Sequence, residues 1–416
     1  MSFDVESVRK DFPQLSMSVR GKNLVYLDNG ATTLKPQTVI DRVARYYQKE
    51  NSNVHRGAHW LAETGTVYYE DARQTVANFL NATDVSEIVF TRGTTESINL
   101  VAQALASLGA EAGPAKAKGL KPGDQVIVTE MEHHSNIVPW QLACQRAGAK
   151  LVAVRIDDRG EIDLAHLKKL LETKTAVVAV TGCSNVLATI VDIPAVVKLA
   201  KAAGAATLVD AAQSITAGAV DVQAWGADFI AFSGHKLFAP FGIGVLWAKK
   251  EWLEMLPPYQ GGGSMIHTVS IEGSTWADVP QKFEAGTPNV GGALGLAEAI
   301  RWLGKTDPLN AFSHAKELAE SVRQELAAIS GITVYGKAEK RTSIVSFNLD
   351  GVHASDVGTI LDQQGIAIRA GHHCCQPLMR RLGCSATGRA SFSVYNTKQE
   401  AAAFIEAVKK AKEILT

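Results

Sequence analysis

The chain carries no net charge: 42 Lys and Arg balance 42 Asp and Glu in 416 residues. No global positive field is therefore available to hold a nucleic acid or an anionic membrane, although local basic sites remain open. It also lacks a long hydrophobic run. Apolar stretches are broken by a charge or a turn residue well before the roughly 18 residues that a membrane span needs. The first residues, with Asp4 and Glu6, have none of the basic-then-apolar pattern of a signal peptide, so the expected location is the cytoplasm. Cysteine is scarce. The five residues, Cys144, Cys183, Cys374, Cys375 and Cys384, are odd in number and unevenly spaced, which argues against a disulfide framework and for a reducing compartment. Gly 35 and Pro 13 are too few for a collagenous or disordered chain. There is no internal repeat, and the one biased tract is the Ala/Gly-rich stretch Gly109 to Gly119, read as an inserted surface loop. What the chain does have is length and 46% hydrophobic residues, enough for one large and one small domain.

From about residue 85 to 250, seven short apolar runs alternate with helical patterns. The runs are Glu87 to Thr91, Gln125 to Thr129, Leu151 to Ile156, Ala176 to Thr181, Thr207 to Val209, Phe229 to Phe232 and Ile243 to Trp247. This βα rhythm predicts an α/β domain around a buried, mostly parallel sheet. After about Gly292 the pattern changes to a long helix over Leu309 to Ile329, strands at Ile332 to Tyr335 and Ser343 to Leu349, and a helix from Ser355 to Gln363. A strand at Ala390 to Tyr395 and a terminal helix presenting Phe404, Val408, Ala411 and Leu415 on one face complete it. These predict a smaller α+β domain, 293–416, after a large one, 26–292.

Candidate chemistry gathers where apolar runs end. Lys236 closes Ser233-Gly234-His235-Lys236, where open α/β sheets place ligand-binding groups; burial there would lower its pKa and free its amine to form an imine with a carbonyl. A lysine merely snorkelling from a strand end reads the same way. Asp210 ends another run and is followed by Gln213; a carboxylate there suits a protonated pyridine nitrogen. Thr94 and Thr95, after Gly93, offer hydroxyls and helix amides to a phosphate, or a plain helix cap. His133 could lie over a flat ring and move protons, and Asn185 could bond a ring hydroxyl or simply make a turn. In the small domain, Arg369-Ala370-Gly371-His372-His373-Cys374-Cys375 puts a thiol among cationic residues, a setting for a nucleophile. Four consecutive His and Cys do not easily converge on one tetrahedral ion and no paired C-x-x-C is present, so no metal is expected. Arg389 begins a strand and could clamp a carboxylate or serve an ion pair.

Taken together, these segments resemble fold-type I pyridoxal-phosphate enzymes of the class V aminotransferase group, and within it the group II (SufS/CsdA-like) cysteine desulfurases. The likeness runs from Tyr26-Leu27-Asp28-Asn29-Gly30 and Asn53-Val54-His55-Arg56 through Glu132-His133-His134, Ser184-Asn185-Val186-Leu187 and Phe283 to Asn289, to Arg369–Leu378 and Arg389-Ala390-Ser391. The resemblance implies that Lys236 binds pyridoxal 5'-phosphate and then removes the substrate α-proton, that Asp210 pairs with the pyridine nitrogen, that Gln213 faces the ring oxygen, and that His133 stacks on the ring. It implies phosphate contacts from Thr94, Thr95, Ser233 and His235, with Thr287 arriving from the other subunit of a homodimer. Arg389 would hold the substrate carboxylate with Asn185 nearby; Arg369, His55 and Arg56 would lie close to the substrate, the last two near the partner's site. The implied reaction converts L-cysteine to L-alanine and leaves a persulfide on Cys374, for a sulfur-acceptor protein (SufE- or SufU-like) serving iron-sulfur cluster assembly or other sulfur transfer. A selenocysteine or cystine lyase of the same family is the alternative. Residues 1–25 would pack with the small domain.

Five positions depart from the family pattern. The turn after the lysine reads Ala239-Pro240-Phe241-Gly242 where Gly-Pro-Thr-Gly is usual, Ala188 stands where Gly is frequent, and Gly30 replaces a common Ala. Cys375 stands where relatives commonly carry Ala; it reads as a small apolar filler or as a trap or relay for sulfur, a role also open to Cys384.

Overall fold

A computed structural model describes residues 3–110 and 118–416. Seven strands form the main sheet: β1 (Ile88–Thr91), β2 (Gln125–Thr129), β3 (Lys150–Val154), β4 (Thr175–Thr181), β5 (Ala206–Asp210), β6 (Phe229–Ser233) and β7 (Gly244–Ala248). Their spatial order is β1-β7-β6-β5-β4-β2-β3. Only β7 runs antiparallel to its neighbours, so the sheet is mostly parallel, as the apolar runs predict. Alternating residues supply both faces. In β6, Ile230 and Phe232 join the core beneath helices Trp60–Phe79, Ile193–Ala202 and Val290–Lys305. Phe229 and Ala231 join the core under Thr94–Ala110 and Val138–Ala147. A sheet buried on both sides needs this continuous apolar composition.

Four antiparallel strands, β8 (Ile332–Tyr335), β9 (Ile344–Leu349), β10 (Arg369–Gly371) and β11 (Thr387–Ser391), form a second sheet in the order β8-β9-β11-β10. Val345, Phe347 and Ala390 pack under helices Pro308–Ala327, Ala354–Gln363 and Lys398–Leu415. The alternate residue Arg389 points the other way, toward the large sheet's strand ends, and bonds Asn185 there. The segment before residue 28 is tied to this smaller lobe by Val25–Tyr26, which pairs in parallel with Ile366–Ala367, and by the ion pair Arg9–Glu400 at 2.9 Å.

Two sequence expectations are corrected. The strand expected over Ala390 to Tyr395 lies earlier and ends at Ser391, because Ser393 donates its N–H to Asn396 Oδ1 at 2.8 Å and closes a turn. The stretch from Gly109 is not loop from its start. Gly109 and Ala110 complete the helix Thr94–Ala110, and residues 111–117 lie outside the described residues. The departure at Ala188 also acquires a meaning. Its φ of 64° is a left-handed conformation that favours glycine, in a fully buried turn.

Candidate active site

The carboxyl ends of β1, β2, β4, β5 and β6 open into one cavity of about 410 Å³, closed on its far side by the smaller lobe. Lys236 enters from the turn after β6, and Asp210 ends the neighbouring β5. Burial lowers the Lys236 amine to about 8, against a pull upward from the Asp210 carboxylate. Asp210 is itself raised by burial and held back by Lys236. One of its oxygens accepts the Ala212 N–H at 2.9 Å. Gln213 donates one N–H of its amide to the Gly30 carbonyl at 2.7 Å. His133 accepts the Ser135 N–H at Nδ1, 3.1 Å away, and burial brings its pKa down to about 3. The ring is therefore neutral, with its proton on Nε2.

At the other end of the cavity, Thr94 begins a 17-residue helix. The Ser233 hydroxyl accepts the Thr94 N–H at 2.8 Å and pairs with Thr94 Oγ1 at 2.8 Å, while Thr95 Oγ1 meets Ser135 Oγ at 2.7 Å. Gly93, at φ 155°, lets this turn close; a Cβ there would stand 3.1 Å from Ser233 Oγ. His235 stacks on Phe241, 5.2 Å between centroids, and its Nδ1 is buried without a hydrogen-bond partner.

Arg369 and Arg389 face each other across β10 and β11, and both reach Asp28. Arg369 Nη2 lies 2.7 Å from Asp28 Oδ2, and Arg389 Nη2 lies 3.5 Å from Oδ1. Arg389 is buried, donates from Nη1 to the Asn185 carbonyl at 2.9 Å, and keeps a buried Nε without a partner. Cys374 follows β10 with an exposed thiol. Its N–H is held by His372 Nδ1 at 3.1 Å and its carbonyl accepts the His134 N–H at 2.7 Å. Two guanidiniums sharing one carboxylate leave a cationic wall suited to an anionic ligand.

Lys236, His133, Asp210, Gln213, Thr94, Thr95, Ser233, His235, Asn185, Arg369, Arg389 and Cys374 all line this cavity. Thr287, His55 and Arg56 do not. Thr287 lines a separate cavity of about 500 Å³, and His55 bonds Glu70 at 2.9 Å, in a network that continues to Arg73 and Glu284. Sequence reasoning left out Asp28 and Glu132, although both stand in quoted motifs. Glu132 is buried behind His133 and accepts bonds from Thr129 Oγ1, Asn136 Nδ2 and the Thr181 N–H, at 2.6, 2.7 and 2.9 Å. Burial nevertheless pushes its pKa up to about 8. Cys183 is buried and lines the cavity; Cys144 lies in the core.

The Aminotransferase class-V family model matches residues 25–404. The chain belongs to the class V aminotransferase family. Within that family it stands among cysteine desulfurases. It is 45% identical over 415 residues to the "Probable cysteine desulfurase" of Vibrio cholerae, covering 100% of both chains. It is 47% identical over 413 residues to the protein of that name from Mycolicibacterium paratuberculosis, covering 99% of this chain and 58% of the relative's length. It likewise spans 66% of the length of a Mycobacterium leprae relative. The solved cysteine desulfurase CsdA (S-sulfonic acid) of Escherichia coli superposes with a TM-score of 0.90 at 41% identity, with 100% of both chains covered. The apo cysteine desulfurase of Thermococcus onnurineus gives 0.91 at 39% identity, covering 100% of this chain and 99% of that one. The architecture is the fold-type I form of this family, whose chemistry is that of pyridoxal phosphate.

Proposed function

We propose that the protein is a cysteine desulfurase that binds pyridoxal 5'-phosphate in the cavity described and takes sulfur from L-cysteine onto Cys374. The observation that carries this reading is the meeting, on one cavity, of a depressed lysine amine with a buried carboxylate and an exposed thiol beside two arginines. The residues fit the cofactor. The spare oxygen of Asp210 suits a pyridinium N–H, the unpartnered His235 Nδ1 and the Thr94–Thr95 helix start suit a phosphate, and Lys236 suits an aldehyde. When bound, pyridoxal phosphate supplies an electron sink that makes the carbon–sulfur bond of the substrate labile.

Around it, Arg389 holds the substrate carboxylate, and Lys236 Nζ takes the α-proton. The Sγ of Cys374 attacks the substrate sulfur; the new S–S bond forms as the Cβ–S bond breaks, and the protonated carbon skeleton leaves as L-alanine. The neutral His133, with its proton on Nε2, lies where it can hand that proton on. The exposed Cys374 then passes sulfur to an acceptor protein of the SufE or SufU kind, for iron-sulfur cluster assembly or other sulfur transfer, in a reducing cytoplasm. We further propose a homodimer in which Thr287, His55 and Arg56, all exposed and off this cavity, serve the partner's site. The working division is residues 1–25 with the smaller lobe, a large domain from 26 to about 292, and the rest as the small domain. That boundary falls inside the helix Val290–Lys305, which packs on the large core.

Mass spectrometry after incubation with L-cysteine tests the reaction. One added sulfur atom mapping to Cys374, absent from Cys374→Ser, is the expected result. Alanine formation that survives in Cys374→Ser overturns the persulfide route.

A further inference from the structure

Cys375 is fully buried, packed with Met131, Val186, Leu378 and Met379. Its Sγ lies 3.0 Å from Asn185 Oδ1, toward which the thiol donates. At its other end the same amide donates from Nδ2 to the His373 carbonyl at 2.8 Å. Reversing the amide would set two oxygens against each other at His373, so that carbonyl selects the orientation in which Oδ1 faces the thiol and receives its proton. The backbone being held is unusual. His373 and Cys374 are consecutive non-glycine residues at φ 50° and 55°, a left-handed conformation that persists only when surrounding contacts determine it. Further clasps on this turn are the His134 N–H on the Cys374 carbonyl, the Cys374 N–H on His372 Nδ1, the Cys375 N–H on the His372 carbonyl, and His373 Nε2 against Thr387 Oγ1 at 2.9 Å.

We propose that Cys375 is a positioning residue: as a hydrogen-bond donor acting through Asn185, its thiol holds the left-handed turn that sets Cys374 at the cavity. It is neither an inert filler nor a sulfur relay. A filler needs no donor, and a relay needs an accessible thiolate, whereas this thiol is 0% exposed and burial pushes it up to about 12. The consequence for turnover rests on the desulfurase reading; the consequence for the turn does not.

The experiment compares holoenzyme with Cys375, Cys375→Ala, Cys375→Val and Cys375→Ser by amide hydrogen exchange across residues 370–376 and by steady-state alanine formation from L-cysteine. Loss of one donor predicts exchange faster by about three- to tenfold in the Ala and Val variants, and kcat lower by a similar factor with KM within about twofold. Serine, which keeps a donor, restores both to within about twofold of the parent. Parental exchange and kcat in Cys375→Val, which fills the space without donating, would overturn the proposal, as would sulfur found on Cys375. If the parent makes no alanine from L-cysteine, the desulfurase reading falls, and the exchange contrast still decides the role of Cys375.

Discussion

Lys236 and Asp210 each act on the other's proton. Burial disfavours both charges, and the carboxylate recovers part of the amine's basicity, leaving it at about 8. Below that value the amine is protonated and cannot attack an aldehyde; above it the lone pair is free. Condensation of cofactor-free protein with added pyridoxal phosphate, followed by absorbance, is therefore expected to reach half its maximal rate near pH 8. Asp210→Asn removes the group that raises the amine, so its midpoint is expected at lower pH; a midpoint in the ordinary lysine range in either protein would contradict this. Lys236 was legible in the sequence because an apolar run ends just before it. Its neighbours were less so. Asp28 looks like any turn acid until the fold brings it to Arg369 and Arg389, which lie 341 and 361 residues away. The bonding of Asn185 to the cysteine turn is equally invisible to spacing.

Elements were read well where burial is uniform and less well where side chains close turns. All seven strands of the main sheet fall within one or two residues of their apolar runs, since a strand covered on both faces has little choice of composition. The strand before the last helix was displaced because its end is set by the Ser393–Asn396 turn and not by hydrophobicity. That helix, Lys398–Leu415, starts with a reciprocal cap: Thr397 Oγ1 accepts the Glu400 N–H, and Glu400 Oε2 accepts the Thr397 N–H, both at 3.1 Å. Glu400 also holds Arg9 from the amino-terminal segment. Thr397→Ala is expected to reduce stability by about 1 kcal/mol, read from the urea midpoint. An unchanged midpoint would show that the cap contributes nothing here.

Exposed apolar residues bear on how the whole molecule assembles. Trp60 at 71% and Val67 at 65% exposure stand seven residues apart on one face of the helix that follows His55 and Arg56. Large side chains left in water on one face are what a second copy would cover. Light scattering should give twice the chain mass for the parent and a single chain for Trp60→Glu; an unchanged mass for the variant would place the dimer face elsewhere. The pairing of β10 and β11 also fixes distances beside the thiol. Arg389 is in register with Arg369, Gly371 is opposite Thr387, and Cys374 lies just beyond. If Arg389 holds the substrate carboxylate as proposed, it and the thiol are set by one strand pair, and their separation acts as a ruler for the ligand between them. Homocysteine, one methylene longer, has the same groups at the wrong span, and its sulfur should remain in place even where it binds.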